Sequence, residues 1–313
     1  TALTVQIDGA LPDLYFTQAE LLCDGRVYIF KYGAAGWEQF KAWLADENSK
    51  KACCDSKELI KAALCMGVEA RGITDDIAIA AYLIDAGRSE YSIKTISEAY
   101  LTQKCAQDCK AVADLVPLLR AKLNEHEQIN LYEEMELPLA CTLAKMELAG
   151  IKPDVTLLDK LTKEMAAQIA ALEILAVEQA GESFNLKSTK QLGVILFEKL
   201  GLPVIKKTKT GYSTDVSVLE QLRNEHPLVR TVLEHRKLTK LHSTYLEGLR
   251  PLINKTTGRI HTHFQQLVTV TGRLSSTDPN LQNIPTRTEL GKQIREIFVP
   301  GEGYDYLLSC DYS

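Results

Sequence analysis

What the sequence lacks narrows its possibilities first. No stretch of about 20 apolar residues occurs, so nothing reads as a transmembrane helix. The chain opens on "TALTVQIDG", without a basic segment followed by an apolar one, so no secretory leader is read there. Internal repeats and low-complexity tracts are missing as well. The eight cysteines are Cys23, Cys53, Cys54, Cys65, Cys105, Cys109, Cys141 and Cys310, and they form no zinc-knuckle spacing. They read as free thiols of a cytosolic protein. The first residue is Thr rather than Met, and Ser313 follows an apolar run, so both ends read as cut.

What is present is an ordinary globular balance: 313 residues, 45% hydrophobic and 25% charged. That length favours about two domains. The net charge of −5 hides an asymmetry, because Phe184 to Pro300 holds 18 Lys and Arg against 9 Asp and Glu, leaving −14 for the rest. One part therefore suits a polyanion and the other does not, unless the cations only line solvated helix faces.

Residues 1 to about 120 read as α/β. "LTVQID" and "RVYIF" suit strands, while "GWEQFKAWLAD", "SKELIKAALCMG" and "DDIAIAAYLID" carry helical spacing. From about Glu125 the pattern turns helical. One helix runs to Gly150, and a second spans Leu157 to Gln179 with a stripe at Leu158, Leu161, Met165, Ile169, Leu172 and Leu175 or Ala176. "KSTKQLGVILFEKLG" predicts a third helix, and "LPVIKKTKTGYST" a projecting loop. The long helix from Pro227 stacks Arg236 and Lys240 four residues apart, a repulsion of a few tenths of a kcal/mol that an anion would relieve. "GRIHTHFQQ" alternates like a strand. "YLLSCDYS" reads as a strand ending in an acid, either a catalytic carboxylate or a turn-forming Asp.

"TVTGRLSSTDPNLQNIP", Thr269 to Pro285, has no His, Glu or Cys, the usual residues of acid–base or metal chemistry. It offers instead Arg273 as a planar fork of donors, the hydroxyls Ser275, Ser276 and Thr277, and the amides Asn280, Gln282 and Asn283. Gly272 would let something bulky come near. Such a set suits a groove that holds nucleic acid by shape and hydrogen bonds, or a polar Asx/Ser turn capping a helix.

That run, followed by "GKQIREIFVP" and "LLSCDYS", resembles the family A DNA polymerases of bacteria. "FNLKSTKQLGVILFEKLGLP", "KKTKTGYST", "HRKLTKLHSTYLEGL" and "TGRIHTHFQQLVTVTGRLSS" stand in that family's order and spacing, covering about Glu125 to Ser313. The N-terminal part is similar, more weakly, to the proofreading-exonuclease domain of the same enzymes. The resemblance implies an α/β, ribonuclease H-like domain over 1–122. Over 123–313 it implies a polymerase domain with a mostly helical thumb and the beginning of an α+β palm. It implies template-directed transfer from dNTP to a primer 3′-hydroxyl, in DNA replication and repair, assisted by two Mg²⁺ ions. Asp311 would be the first palm carboxylate, with the Tyr312 carbonyl as a further metal ligand. Arg273 would meet the primer–template minor groove, with Asn280, Gln282 and Asn283 adjoining it. Arg236 and Lys240 would lie on the DNA backbone from the thumb, and Asn185 and Ser188 would start a neighbouring phosphate-contacting helix.

Two departures from the family pattern matter. Active proofreading domains place an acid-x-acid pair on the first strand, another Asp on a helix, and a Tyr three residues before a further Asp. Here Gln6 sits where the first acid belongs and only Asp8 remains, the helical acid's place falls at about Leu59, and the Tyr partner of Asp108 is replaced at about Lys104. A vestigial domain without 3′-to-5′ nuclease activity is expected. The chain also stops two residues after Asp311, inside the first palm motif, so the fingers and the second palm acid are not in this sequence. One carboxylate holds Mg²⁺ poorly. The chain alone is therefore expected to be inactive in polymerisation, needing a covalent or companion polypeptide with the remainder. The alternatives are a non-catalytic primer–template-binding module and an active 3′-to-5′ exonuclease. The expected partners are primer–template DNA and dNTP, with no membrane, and the location is the bacterial cytoplasm at the nucleoid.

Overall fold

The alternating N-terminal run becomes β1 (Ala2–Asp8), paired antiparallel with β2 (Tyr15–Cys23), which pairs antiparallel with β3 (Arg26–Lys31). The turn into β3 uses Asp24 and Gly25, both at positive φ, as a tight hairpin with right-handed strand twist requires. In this computed structural model all residues are described except Lys104, Ala106, Lys209, Thr210, Arg287 and Ser313. The sequence reading passed over β2. A bulge pairs Gln6 with Gln18 and Ile7 with Phe16, leaving Thr17 as an extra residue that breaks the period-two pattern.

The chain continues through α1 (Trp37–Ala45), β4 (Lys51–Cys53), α2 (Ser56–Cys65), β5 (Ile73–Asp76), α3 (Ile77–Ile84), α4 (Ile93–Tyr100) and α5 (Asp108–Glu125). β4 and β5 join in parallel, completing a sheet of order β3-β2-β1-β4-β5. Leu3, Phe16, Phe40, Leu44 and Leu59 form one buried cluster, and Ile77, Val112, Leu115 and Leu119 belong to another. Buried Asp76 ends β5 and accepts amides from two helix starts: Ser56 (2.6 Å) and Asp55 (3.2 Å) before α2, and Ala78 (2.8 Å) and Ile79 (3.4 Å) in α3.

The helix expected to end at Gly150 is interrupted. After α6 (Ile129–Leu131) the turn at Tyr132–Glu136 widens, with Leu137 N bonded five residues back to Tyr132 O, before α7 (Leu137–Ala149). Pro138 has no N–H to give the preceding turn, which explains the widening. Gly150 then stops α7 at φ 57°, where a Cβ would lie 2.7 Å from His261 Nδ1 and 2.8 Å from Ile260 O.

Beyond it lie β6 (Lys152–Pro153), α8 (Val155–Ala180), α9 (Thr189–Gly193), β7 (Lys207–Thr208), β8 (Gly211–Tyr212), α10 (Val216–Gln221) and α11 (Pro227–Leu241). Asp154 caps α8 by accepting from Leu157 N at 3.0 Å, and Gly181 at φ 73° ends it. Leu158, Leu161, Met165 and Ala176 of the expected stripe are buried, whereas Leu175 is exposed. The projecting loop contains a short hairpin, β7 against β8. Helical turns after α9 and α11 also widen.

β9 (His263–Gln265) and β10 (Ser275–Thr277) pair antiparallel, then come α12 (Glu289–Arg295) and β11 (Phe298–Val299), the latter paired with β6. "GRIHTHFQQ" thus supplies only three strand residues. "YLLSCDYS" is no strand in its described residues: 304–312 are exposed and irregular, because a strand-prone segment without a ladder partner has nowhere to place its backbone groups except water. Packing groups Thr1–Ile151 with Asn254–Asn283, and Lys152–Ile253 with Ile284–Ser313. Among the described residues no helix is long and apolar enough to cross a membrane.

Candidate nucleic-acid interface

The polar run beginning at Thr269 is held by its own hydrogen bonds. β10 pairs Ser275, Ser276 and Thr277 with Gln265, Phe264 and His263. Buried Ser276 Oγ accepts from Leu281 N (3.2 Å), while Asn280 Oδ1 accepts from Gln282 N (3.1 Å). Gln282 Nε2 donates to Leu274 O (3.1 Å), and Thr262 Oγ1 donates to Pro279 O (2.7 Å). The Asx/Ser turn considered from sequence is therefore real, and it shapes the segment rather than capping a helix. Gly272 is explained by its φ of 73° and not by a close neighbour, since a Cβ there would meet nothing within 4 Å. Arg273 is exposed, and among the described residues no acceptor pairs with its guanidinium. Asn280, Gln282 and Asn283 are exposed beside it in sequence.

A second group stands on α9 and α11. Ser188 Oγ caps α9 by accepting from Gln191 N (3.3 Å). Asn185 Oδ1 accepts from Lys187 N (2.9 Å), and Asn185 N donates to Gln191 Oε1 (2.7 Å). Both residues thus have local structural work that their spacing alone did not reveal. Arg236 does not wait for an anion: its guanidinium donates to Thr214 O and, at 3.1 Å, to Thr214 Oγ1. Burial lowers the Arg236 pKa, partly offset by Asp215. Lys240 is exposed on the same cleft of about 450 Å³. Lys187, Thr189 and Thr214 also line this cleft. Sequence reasoning missed them because the fold, and not any local pattern, brings them to α11.

The residues expected at a metal centre are not assembled. Asp311 and Tyr312 are exposed in the irregular segment 304–312, and Asp311 belongs to no group of three ligands among the described residues. They do not by themselves fit a two-ion site. In the N-terminal unit Gln6 and Asp108 line a cavity of about 270 Å³ with Glu20 and Gln107. Asp8 is exposed and accepts from Gly9 N at 2.7 Å. Leu59 is buried in the core, and Lys104 lies outside the described residues.

One cluster does have metal-ligand composition: Glu58, Glu147 and His263. Its central carboxylate is already occupied. Glu147, fully buried, accepts from Lys57 Nζ (2.7 Å), Lys61 Nζ (2.7 Å) and Phe264 N (2.8 Å). Burial would raise the Glu147 pKa, but the two lysines hold it below the ordinary carboxylate value; Lys61 is held above its own, against burial, by Glu147 and Glu58. Two ammonium groups at the carboxylate leave no place for a cation.

Residues 155–313 match the model of the family described as DNA polymerase family A, and residues 19–112 match DNA polymerase I, ribonuclease H-like domain. Over 314 residues the chain is 40% identical to DNA polymerase I of Bacillus subtilis (strain 168), covering 92% of this chain and 36% of the relative. It is 46% identical over 247 residues to DNA polymerase I of Caldicellulosiruptor bescii, covering 76% and 29%. The chain thus spans about a third of the length of these curated relatives. Among solved structures, the POL domain of Pol1 from M. smegmatis, in complex with DNA primer-template and dNTP, superposes with a TM-score of 0.89 at 38% identity. That match covers 97% of this chain and 55% of the other.

Proposed function

The chain belongs to DNA polymerase family A, and from that premise we propose that it grips primer–template duplex for template-directed DNA synthesis in replication and repair. Its N-terminal unit carries the ribonuclease H-like fold. The observation that carries the proposal is Arg273: an exposed guanidinium at the mouth of a hairpin stiffened by its own side-chain bonds. A charged fork held on a short, rigid support can meet a duplex at little entropic cost. The cleft with Lys187, Arg236 and Lys240 supplies cations without base-reading groups, which suits backbone contact. A relative in structure binds primer-template and dNTP, which supports the same partners here.

In this reading 1–122 is a former nuclease domain and 123–313 the thumb with the start of the palm. Dependence on metal goes with the family, and Mg²⁺ is the ion proposed. Asp311 and the Tyr312 carbonyl would be its ligands together with carboxylates from another segment or a companion polypeptide, and no step through the metal rests on these residues alone. The bacterial cytoplasm, at the nucleoid, is the proposed location.

Fluorescence anisotropy with a labelled primed duplex tests the reading. Wild type binds, and Arg273→Ala weakens binding by about 1–3 kcal/mol. Equal affinity of the two proteins removes Arg273 from the interface. Incubation of labelled single-stranded DNA with Mg²⁺ or Mn²⁺ tests the nuclease assignment: the DNA stays intact, and shortening restores the exonuclease alternative.

A further inference from the structure

The buried Glu147 cluster does something that neither the nuclease fold nor the duplex contacts require. Glu147 sits on α7, Lys57 and Lys61 on α2, and Phe264 at the centre of β9. Phe264 N donates to Glu147 Oε1 at 2.8 Å, and Phe264 O accepts from Lys57 Nζ at 2.8 Å. Both polar groups of this strand residue are therefore bonded to side chains. A strand of three residues with one partner strand is marginal on its own, so these bonds replace the missing neighbour. His261 makes a further anchor, its Nδ1 donating to Glu147 O at 2.8 Å while Thr257 Oγ1 donates to Nε2 at 2.7 Å. Downstream, Gln266 Nε2 reaches Glu136 O (2.8 Å), and Tyr82 OH donates to Thr269 O (2.7 Å). Arg273 follows four residues later.

We propose that Lys57, Lys61 and Glu147 are positioning residues. They clamp β9, and through the β9–β10 pairing they set the segment Gly272–Asn283 in its duplex-binding shape. The ribonuclease H-like unit then serves the polymerase by holding this hairpin. The inference rests on the proposed function for its consequence, and on the hydrogen bonds alone for the clamp.

The test uses the whole chain with the variants Lys57→Met and Lys57→Met/Lys61→Met/Glu147→Leu. The triple variant exchanges a buried charge cluster for apolar side chains, a change that often leaves folding intact. Lys57→Met is the milder variant, removing the bond to Phe264 O, one to Glu147 and a longer ion pair with Glu58 (3.8 Å). Amide exchange at 263–277 is expected to accelerate in both. Affinity for a primed duplex is expected to fall roughly three- to thirtyfold. The slope of log K against log salt stays at the wild-type value, because no phosphate contact is lost. Unchanged exchange in folded variants overturns the clamp. Faster exchange with full affinity overturns its role in binding, and a slope reduced by about 1 per lysine overturns positioning in favour of direct DNA contact. Wild-type protein that binds no duplex defeats the proposed function, while the exchange measurement still judges the clamp.

Discussion

Glu147→Gln keeps the shape of the side chain and removes its charge, leaving Glu58 as the carboxylate that Lys61 (2.6 Å) and Lys57 (3.8 Å) still reach. Breaking a buried pair from one side costs about 3–5 kcal/mol when the remaining charge has no other partner, so with Glu58 still in reach chemical denaturation of this variant should show a loss near or below the lower end of that range. The pH dependence has a definite sign. The Glu147 pKa is depressed in the folded chain relative to 4.5, so its contribution is fully present above that value and disappears as pH falls through the depressed one. Thermal melts taken from neutral pH downward should therefore bring wild type and Glu147→Gln together as pH falls through that depressed value. Thiol reactivity gives an independent check. Cys310 is exposed and should react first with a disulfide reagent, whereas burial pushes the Cys53 thiol well above its ordinary pKa and should keep it unreactive until unfolding. None of the Glu147 partners was legible in sequence, because they lie 86 to 117 residues away and carry no spacing signal. Arg273 was legible as a donor. What sequence could not reveal is that Asn280 and Gln282 spend part of their capacity shaping their own loop.

At the scale of elements, helices with strong apolar periodicity were read nearly to their ends, as α8 shows between Asp154 and Gly181. Failures have local causes: a bulge at Thr17 hid β2, Pro138 widened a helix read as continuous, and "YLLSCDYS" lacks a ladder partner. Asp76 shows how one residue can serve two elements. Asp76→Ala removes the acceptor for both the α2 and α3 starts and leaves buried amides unpaired, so its cost should exceed the ~1 kcal/mol of a single cap. Ser188→Ala, which touches one exposed cap, should cost only about that amount in a urea titration. Similar losses for the two variants would contradict the double-cap account.

For the whole molecule, the charge asymmetry was visible in composition, and the structure gathers part of it, Lys187, Arg236 and Lys240, at one cleft. The ribonuclease H-like sheet retains its core, with Leu3, Phe16 and Leu59 buried, which is compatible with a unit kept for support. The central claim is that this chain grips primed duplex through its backbone, and the salt dependence of binding tests it most directly. With at least the three cleft cations engaged, the slope of log K against log salt should be about −2.7 or steeper, and equal for duplexes of unrelated sequence. A slope near zero, or affinity confined to one sequence, would contradict it.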